Sequence, residues 1–128
     1  MIGGMAPELD PHRWAFVQVT PDRASEWLGA ALGTFREREG VSAIVPAALA
    51  EGEPAFARIT LTVHSDLEGV GLTAAVATAL TDAQIACNVV AALHHDHLFV
   101  PAARADEALA ILQALARAAD CSAPGKAE

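Results

Sequence analysis

Residues 91–101, AALHHDHLFVP, set His94, His95, Asp96 and His97 side by side within an otherwise apolar run. In an extended segment His95 and His97 share one face, while His94 and Asp96 take the other. A His-x-His pair on one face can supply two zinc ligands, and a third from His64 or Asp66 would complete a catalytic-type site. The cluster lacks the Cys or Glu spacing of dedicated zinc motifs, so no metal site and no cofactor are assigned. Acid–base chemistry by His97 beside Asp96 would need a nucleophile or a substrate cleft. Ser65 next to His64 does not supply one. Neighbours on a strand point to opposite faces, and the hydrogen bond that activates a serine cannot form between them. The expected role of the cluster is a polar hairpin that fixes strand register, with its tip or start at Leu93–Asp96. Histidine titrates near neutrality, so a pH-responsive contact between subunits is a further use for it.

The other chemically furnished stretch is HSDLEGVGL, residues 64–72. Its turn, Asp66-Leu67-Glu68-Gly69, would deliver the chain to the start of a helix. Bare backbone amides and the positive end of the helix dipole favour a carboxylate there. Gly69 and Gly71 let backbone approach a ligand without a Cβ in the way. Asp66 could accept from an α-ammonium, which gives the two opposite charges an amino acid requires. The candidate ligand contacts are therefore His64, Ser65, Asp66, Leu67, Gly69, Val70, Gly71 and Leu72. Asn88, a polar residue in an apolar strand, joins them if it faces this loop. The plainer reading has Asp66 capping the turn, the glycines shaping it, and Asn88 satisfied by a neighbouring strand.

These residues need elements to hold them. ARITLTVHS (57–65) alternates Ile59, Leu61 and Val63 against Arg58, Thr60, Thr62 and His64, the period of a strand. GLTAAVATALTDA (71–83) puts Leu72, Val76, Ala79, Leu80 and Ala83 on one helical stripe. IACNVVAAL (85–93) reads as a strand buried on both faces, and LFVP (98–101) as its successor. RADEALAILQALARAA (104–119) predicts a second helix. Its inner residues would be Ala105, Ala108, Leu109, Leu112, Leu115, Ala116 and Ala119, with Asp106, Glu107, Gln113 and Arg117 in water. In the first half, WAFVQV (14–19) is a strand and RASEWLGAALG (23–33) a short helix, with Trp27, Ala30 and Ala31 inward and Gly33 at its end. TFREREGVSAIVP (34–46) makes two strands joined at Glu39-Gly40, with 41–46 the more buried. Arg36, Glu37, Arg38 and Glu39 form a solvated strand edge. A small helical turn and a Gly/Pro linker fill 47–56.

Each half thus runs strand, helix, strand, strand, helix, the second helix of the first half being stunted. The expected class is α+β: two ferredoxin-like units, antiparallel sheets with helices packed on one face. The boundaries fall at 1–56, 57–122 and a frayed tail, 123–128.

Composition narrows function by exclusion. The chain has 128 residues and is 53% hydrophobic, but alanine supplies thirty of those residues, so large core side chains are few. With four Phe, two Trp and no Tyr, stacking on nucleic-acid bases is not expected. A net charge of −8 repels phosphate backbones and anionic membrane surfaces. No basic region precedes an apolar run at the N-terminus, and no apolar stretch reaches membrane-spanning length. Cys87 and Cys121 form no motif; a buried thiol and an incidental one are expected. The expected location is cytoplasmic.

The stretch from RITLTVHSDLEGVGL through IACNVVAALHHDHLFVPAARADEALAIL resembles the second unit of small bacterial tandem ACT-domain proteins. Asp66-Leu67-Glu68-Gly69 stands where that family carries an Asp-x-x-Gly turn. IACNVV resembles its second strand and HDHLFVP its third. FREREGVSAIVP carries a weaker likeness, and there is a more distant similarity to tandem ACT arginine sensors. Ala92 and Leu93 depart from the glycine and aromatic that relatives tend to carry before the histidines. The resemblance implies a βαββαβ fold that binds amino acids or other small metabolites without catalysis of its own. It also implies a homo-oligomer, most simply a dimer. An assembly module that has kept the fold without a ligand, and a metal-binding protein using the histidines, are the alternatives.

Overall fold

In the computed structural model, residues 6–62 and 72–121 are described. They form six strands and three helices: β1 (Pro7–Gln18), α1 (Ala24–Ala30), β2 (Gly33–Glu37), β3 (Gly40–Pro46), β4 (Phe56–Leu61), α2 (Leu72–Asp82), β5 (Asn88–Ala91), β6 (Asp96–Pro101) and α3 (Ala105–Cys121). Single 3₁₀ turns at Ala47–Leu49 and Ala102–Arg104 follow β3 and β6. The chain divides into two compact units, residues 11–56 and residues 1–10 with 57–128.

In the 11–56 unit β3 is the central strand. It pairs antiparallel with β1, from Trp14↔Pro46 to Gln18↔Ser42, and with β2, from Gly33↔Ile44 to Glu37↔Gly40. Alternation sends Ala15, Val17, Ala43 and Val45 to the side where α1 lays Trp27, and Ala50 closes that core. The helix ends at Ala30, short of Gly33. Ala31 is extended (ψ 136°), and the Leu32 N–H donates to the Ile44 carbonyl at 2.7 Å, drawing the chain into the sheet. Gly33 therefore opens a strand and caps no helix. The β2–β3 turn falls one residue earlier than expected, at Arg38-Glu39, and Gly40 opens β3 opposite Glu37. Gly40 has φ +140°, and a Cβ there would meet the Gln18 amide at 3.0 Å.

The other unit is built from β4, α2, β5, β6 and α3, with Ile59, Leu61, Leu98 and Val100 packed on Val76, Leu80, Ala105, Ala108 and Leu112. Both helices thus cover one face of its sheet. A βαββαβ unit has a strand after its second helix, lying beside its first strand. Here residues 6–10 lie beside β4. The Thr62 N–H and hydroxyl donate to the Ala6 carbonyl at 3.2 and 2.8 Å, and the Arg58 guanidinium meets Asp10 at 2.9 Å. Strand β1 accordingly starts at Pro7, well before the expected Trp14.

Three local structures differ from their expected form. Strand β5 spans only Asn88–Ala91, and it is an outer strand paired to β6. It is therefore not buried on both faces: Val90 is 39% exposed. The turn occupies residues 92–95, closed by Ala92 N–H donating to the His95 carbonyl at 3.0 Å, so Asp96 and His97 lie inside β6. Helix α2 ends in a Schellman cap. Ile85 N–H reaches the Leu80 carbonyl (2.9 Å), Gln84 N–H reaches Thr81 (2.8 Å), and Gln84 sits at φ +60°.

Candidate functional site

Of the candidate ligand contacts, His64, Ser65, Asp66, Leu67, Gly69, Val70 and Gly71 lie outside the described residues. What the structure gives is the frame on either side of them. Strand β4 ends at Leu61 and α2 begins at Leu72, on either side of that segment. Asn88 begins β5 opposite Phe99. Its side chain is exposed rather than buried, and its Nδ2 donates to the Phe99 carbonyl at 3.4 Å. A hydrogen-bonded structural role for Asn88 is thus present in the geometry.

The histidine cluster is resolved into separate roles by the β6 register. Asp96 falls on the side of Leu98 and Val100 and is 6% exposed. His97 falls on the opposite face, where its Nδ1 lies 3.0 Å from the Thr60 hydroxyl of β4. Burial first, then Arg58 and His95, push the His97 pKa below its usual 6.5, with Asp96 opposing. His95 has a buried Nδ1 without a hydrogen-bond partner, its ring 6.5 Å from that of His97. His94, in the turn, is exposed. Among the described residues, no group of three or more His, Cys, Asp or Glu side chains is placed to hold a metal ion. Cys87 is a half-buried thiol whose pKa is raised by burial, away from the reactive thiolate form.

The 11–56 unit contains a feature that periodicity does not reveal. Trp27 donates its indole N–H to the Leu49 carbonyl at 3.0 Å, and the Arg23 guanidinium lies 4.4 Å over the same ring. They wall a cavity of about 400 Å³. The only forewarning was the stunted second helix of the first half.

The comparisons with known proteins bear on both units. One ACT domain family model matches residues 57–114, and a second ACT domain model matches residues 1–54. A crystal structure from Vibrio cholerae is 43% identical over 83% of this chain and 85% of its own, with a TM-score of 0.75. The chain is a small tandem ACT-domain protein. That Vibrio relative is described as a protein of unknown function and a possible transport protein. At 14% identity, an Agrobacterium tumefaciens protein (TM-score 0.64, covering 88% of this chain and 89% of its own) shares the fold. So does the ligand-free regulatory subunit of aspartate kinase from Thermus thermophilus (14% identity, TM-score 0.61, covering 85% and 95%). No curated protein matches the chain. Among the described residues of the tandem ACT protein, no helix is long and apolar enough to cross a membrane.

Proposed function

We propose that this tandem ACT protein is a non-catalytic, cytoplasmic sensor that binds an amino acid and passes the bound state to another protein chain. The observation that carries the reading is the ACT match on both units. The likeness in fold to an aspartate kinase regulatory subunit supports a regulatory use. The proposed contacts are His64, Ser65, Asp66, Leu67, Gly69, Val70, Gly71 and Leu72, between β4 and α2. Asp66 takes the α-ammonium, and amides freed by Gly69 and Gly71 take the carboxylate. Asn88 is the proposed contact on β5.

A thermal-melt screen of the twenty amino acids tests the reading. At least one is expected to raise Tm at millimolar concentration, and Asp66→Asn is expected to abolish that rise. A flat screen would count against the sensor. A second reading, an assembly module, is favoured by Phe35, which is 73% exposed on the outer strand β2. Light scattering distinguishes it: a strict monomer at all concentrations removes that reading.

A further inference from the structure

Exposed large apolar side chains gather around one strand of the 11–56 unit: Leu28 on α1, Leu32 just before β2, and Phe35 within it. Strand β2 is an outer strand, and its hydrogen bonding leaves one side open. The Val19 N–H donates to the Val41 carbonyl at 2.8 Å, so residues 41, 43 and 45 turn their backbone groups toward β1. Residues 40, 42 and 44 then turn theirs toward β2, where they face Glu37, Phe35 and Gly33. The backbone groups of Thr34 and Arg36 therefore point out of the sheet edge. Such groups are a template for another strand.

Charge selects the strand that fits. Arg36, Glu37, Arg38 and Glu39 alternate in sign and sum to zero, on a chain of net charge −8. Two copies of β2 can pair antiparallel only where outward residues oppose outward residues, which leaves few registers. Centred on Arg36, the pairing sets Arg36 against Arg36. Centred on Glu37, it sets Glu37 against Glu37 and Arg36 against Arg38. Like charges directly opposite disfavour both. Centred on Thr34, it sets Arg36 against Leu32, whose N–H is already given to the Ile44 carbonyl. Centred on Phe35, it sets Thr34 against Arg36 on either side, so every outward group of both residues is bonded. Phe35 then meets Phe35 as the close, non-hydrogen-bonded pair, and covers a ring that is 73% exposed in the single chain. Only this register satisfies the backbone, the charges and the aromatic together.

We propose that β2 is a docking edge for a second copy of this chain, joined antiparallel with the two-fold axis at Phe35. The inference rests on the assembly reading and gives it a partner and a register. It is independent of the amino acid reading. A two-fold contact closes at two copies, whereas β2 set against the other outer strand, β5, would continue into an open chain. The test places Phe35→Cys in the full chain carrying Cys87→Ala and Cys121→Ala, under mild oxidation. Opposed Cα atoms of a non-hydrogen-bonded pair lie about 4.5 Å apart, within disulfide reach, so a covalent dimer is expected. Arg36→Cys, which opposes Thr34, should cross-link at least about tenfold more slowly. In sedimentation of the chain with its own cysteines, Phe35→Lys should weaken the dimer at least about tenfold. Arg36→Pro removes an N–H that the single chain does not use in its sheet, so it should keep the circular dichroism spectrum and lose the dimer. Asp66→Asn should leave the dimer unchanged. A monomer at every concentration would overturn this pairing and the assembly reading together. A dimer that Phe35→Lys retains in full, equal cross-linking at 35 and 36, or polymers that lengthen with concentration would leave an assembly but overturn this edge.

Discussion

At the scale of single residues, alternation along β6 separates neighbours that look alike in sequence. His97 faces Thr60 and Arg58, while Asp96 sits with the core residues Leu98 and Val100. The pKa of His97 is lowered in the folded chain, so the unfolded chain takes up a proton first as the pH falls through 6.5. Stability from neutral His97 is complete above that value and is lost below it. Urea unfolding between about pH 5 and pH 7 should show midpoints falling with pH, and His97→Gln should flatten the slope. The effect is modest because much of the ring meets solvent. An unchanged slope in the variant would move the acid sensitivity elsewhere. The residue types at 94–97 were legible as a titrating group. The placing of Asp96 and His97 on opposite faces was legible too, but which face meets the core was not, and neither was the end of the turn, because 92–95 carries no strong turn residue such as glycine or proline.

Elements were more legible where packing enforces a period. Helix α3 shows this: Ala105, Ala108, Leu112 and Ala116 are buried, while Asp106, Glu107, Gln113 and Arg117 are exposed. Leu112 is fully buried, so Leu112→Ala should cost about 2–5 kcal/mol in chemical denaturation. Strand β5 was misread because Ile85 and Cys87 continue its apolar run, although both belong to the segment leading from the α2 cap. Hydrophobicity alone does not tell a strand from the connection that feeds it. That cap offers the cleanest test at this scale. Gln84 occupies the left-handed position that glycine enters without a Cβ penalty. Gln84→Gly should therefore stabilise the chain by about 1 kcal/mol, seen as a higher urea midpoint at unchanged m-value. A loss of stability would mean that the Gln84 side chain contributes more than its backbone strain costs.

For the whole molecule, the sequence order of two ferredoxin-like halves was readable, but the use of the N-terminus was not. Residues Pro7 to Asp10 carry no strand alternation and contain a proline, yet they belong with 57–128 and pair beside β4. Nothing local marks a strand whose partner lies about fifty residues away along the chain. The Asp10–Arg58 ion pair fastens this segment: the two side chains are 9% and 23% exposed, so both charges are largely withdrawn from water. Leu9 packs on the core of the same unit. Removing Asp10 leaves a mostly buried guanidinium without that carboxylate, and Asp10→Ala should cost about 2–3 kcal/mol, between the values for surface and buried pairs. Deleting residues 1–10 goes further, because it strips the Ala6 carbonyl from Thr62 and exposes an edge of β4. The deleted chain should exchange its β4 amide hydrogens rapidly and aggregate on mild heating, whereas Asp10→Ala should only lower the melting temperature. If β4 kept its protection after the deletion, the 57–128 segment would be complete without the N-terminus, and the first ten residues would be a decoration rather than a strand of its sheet.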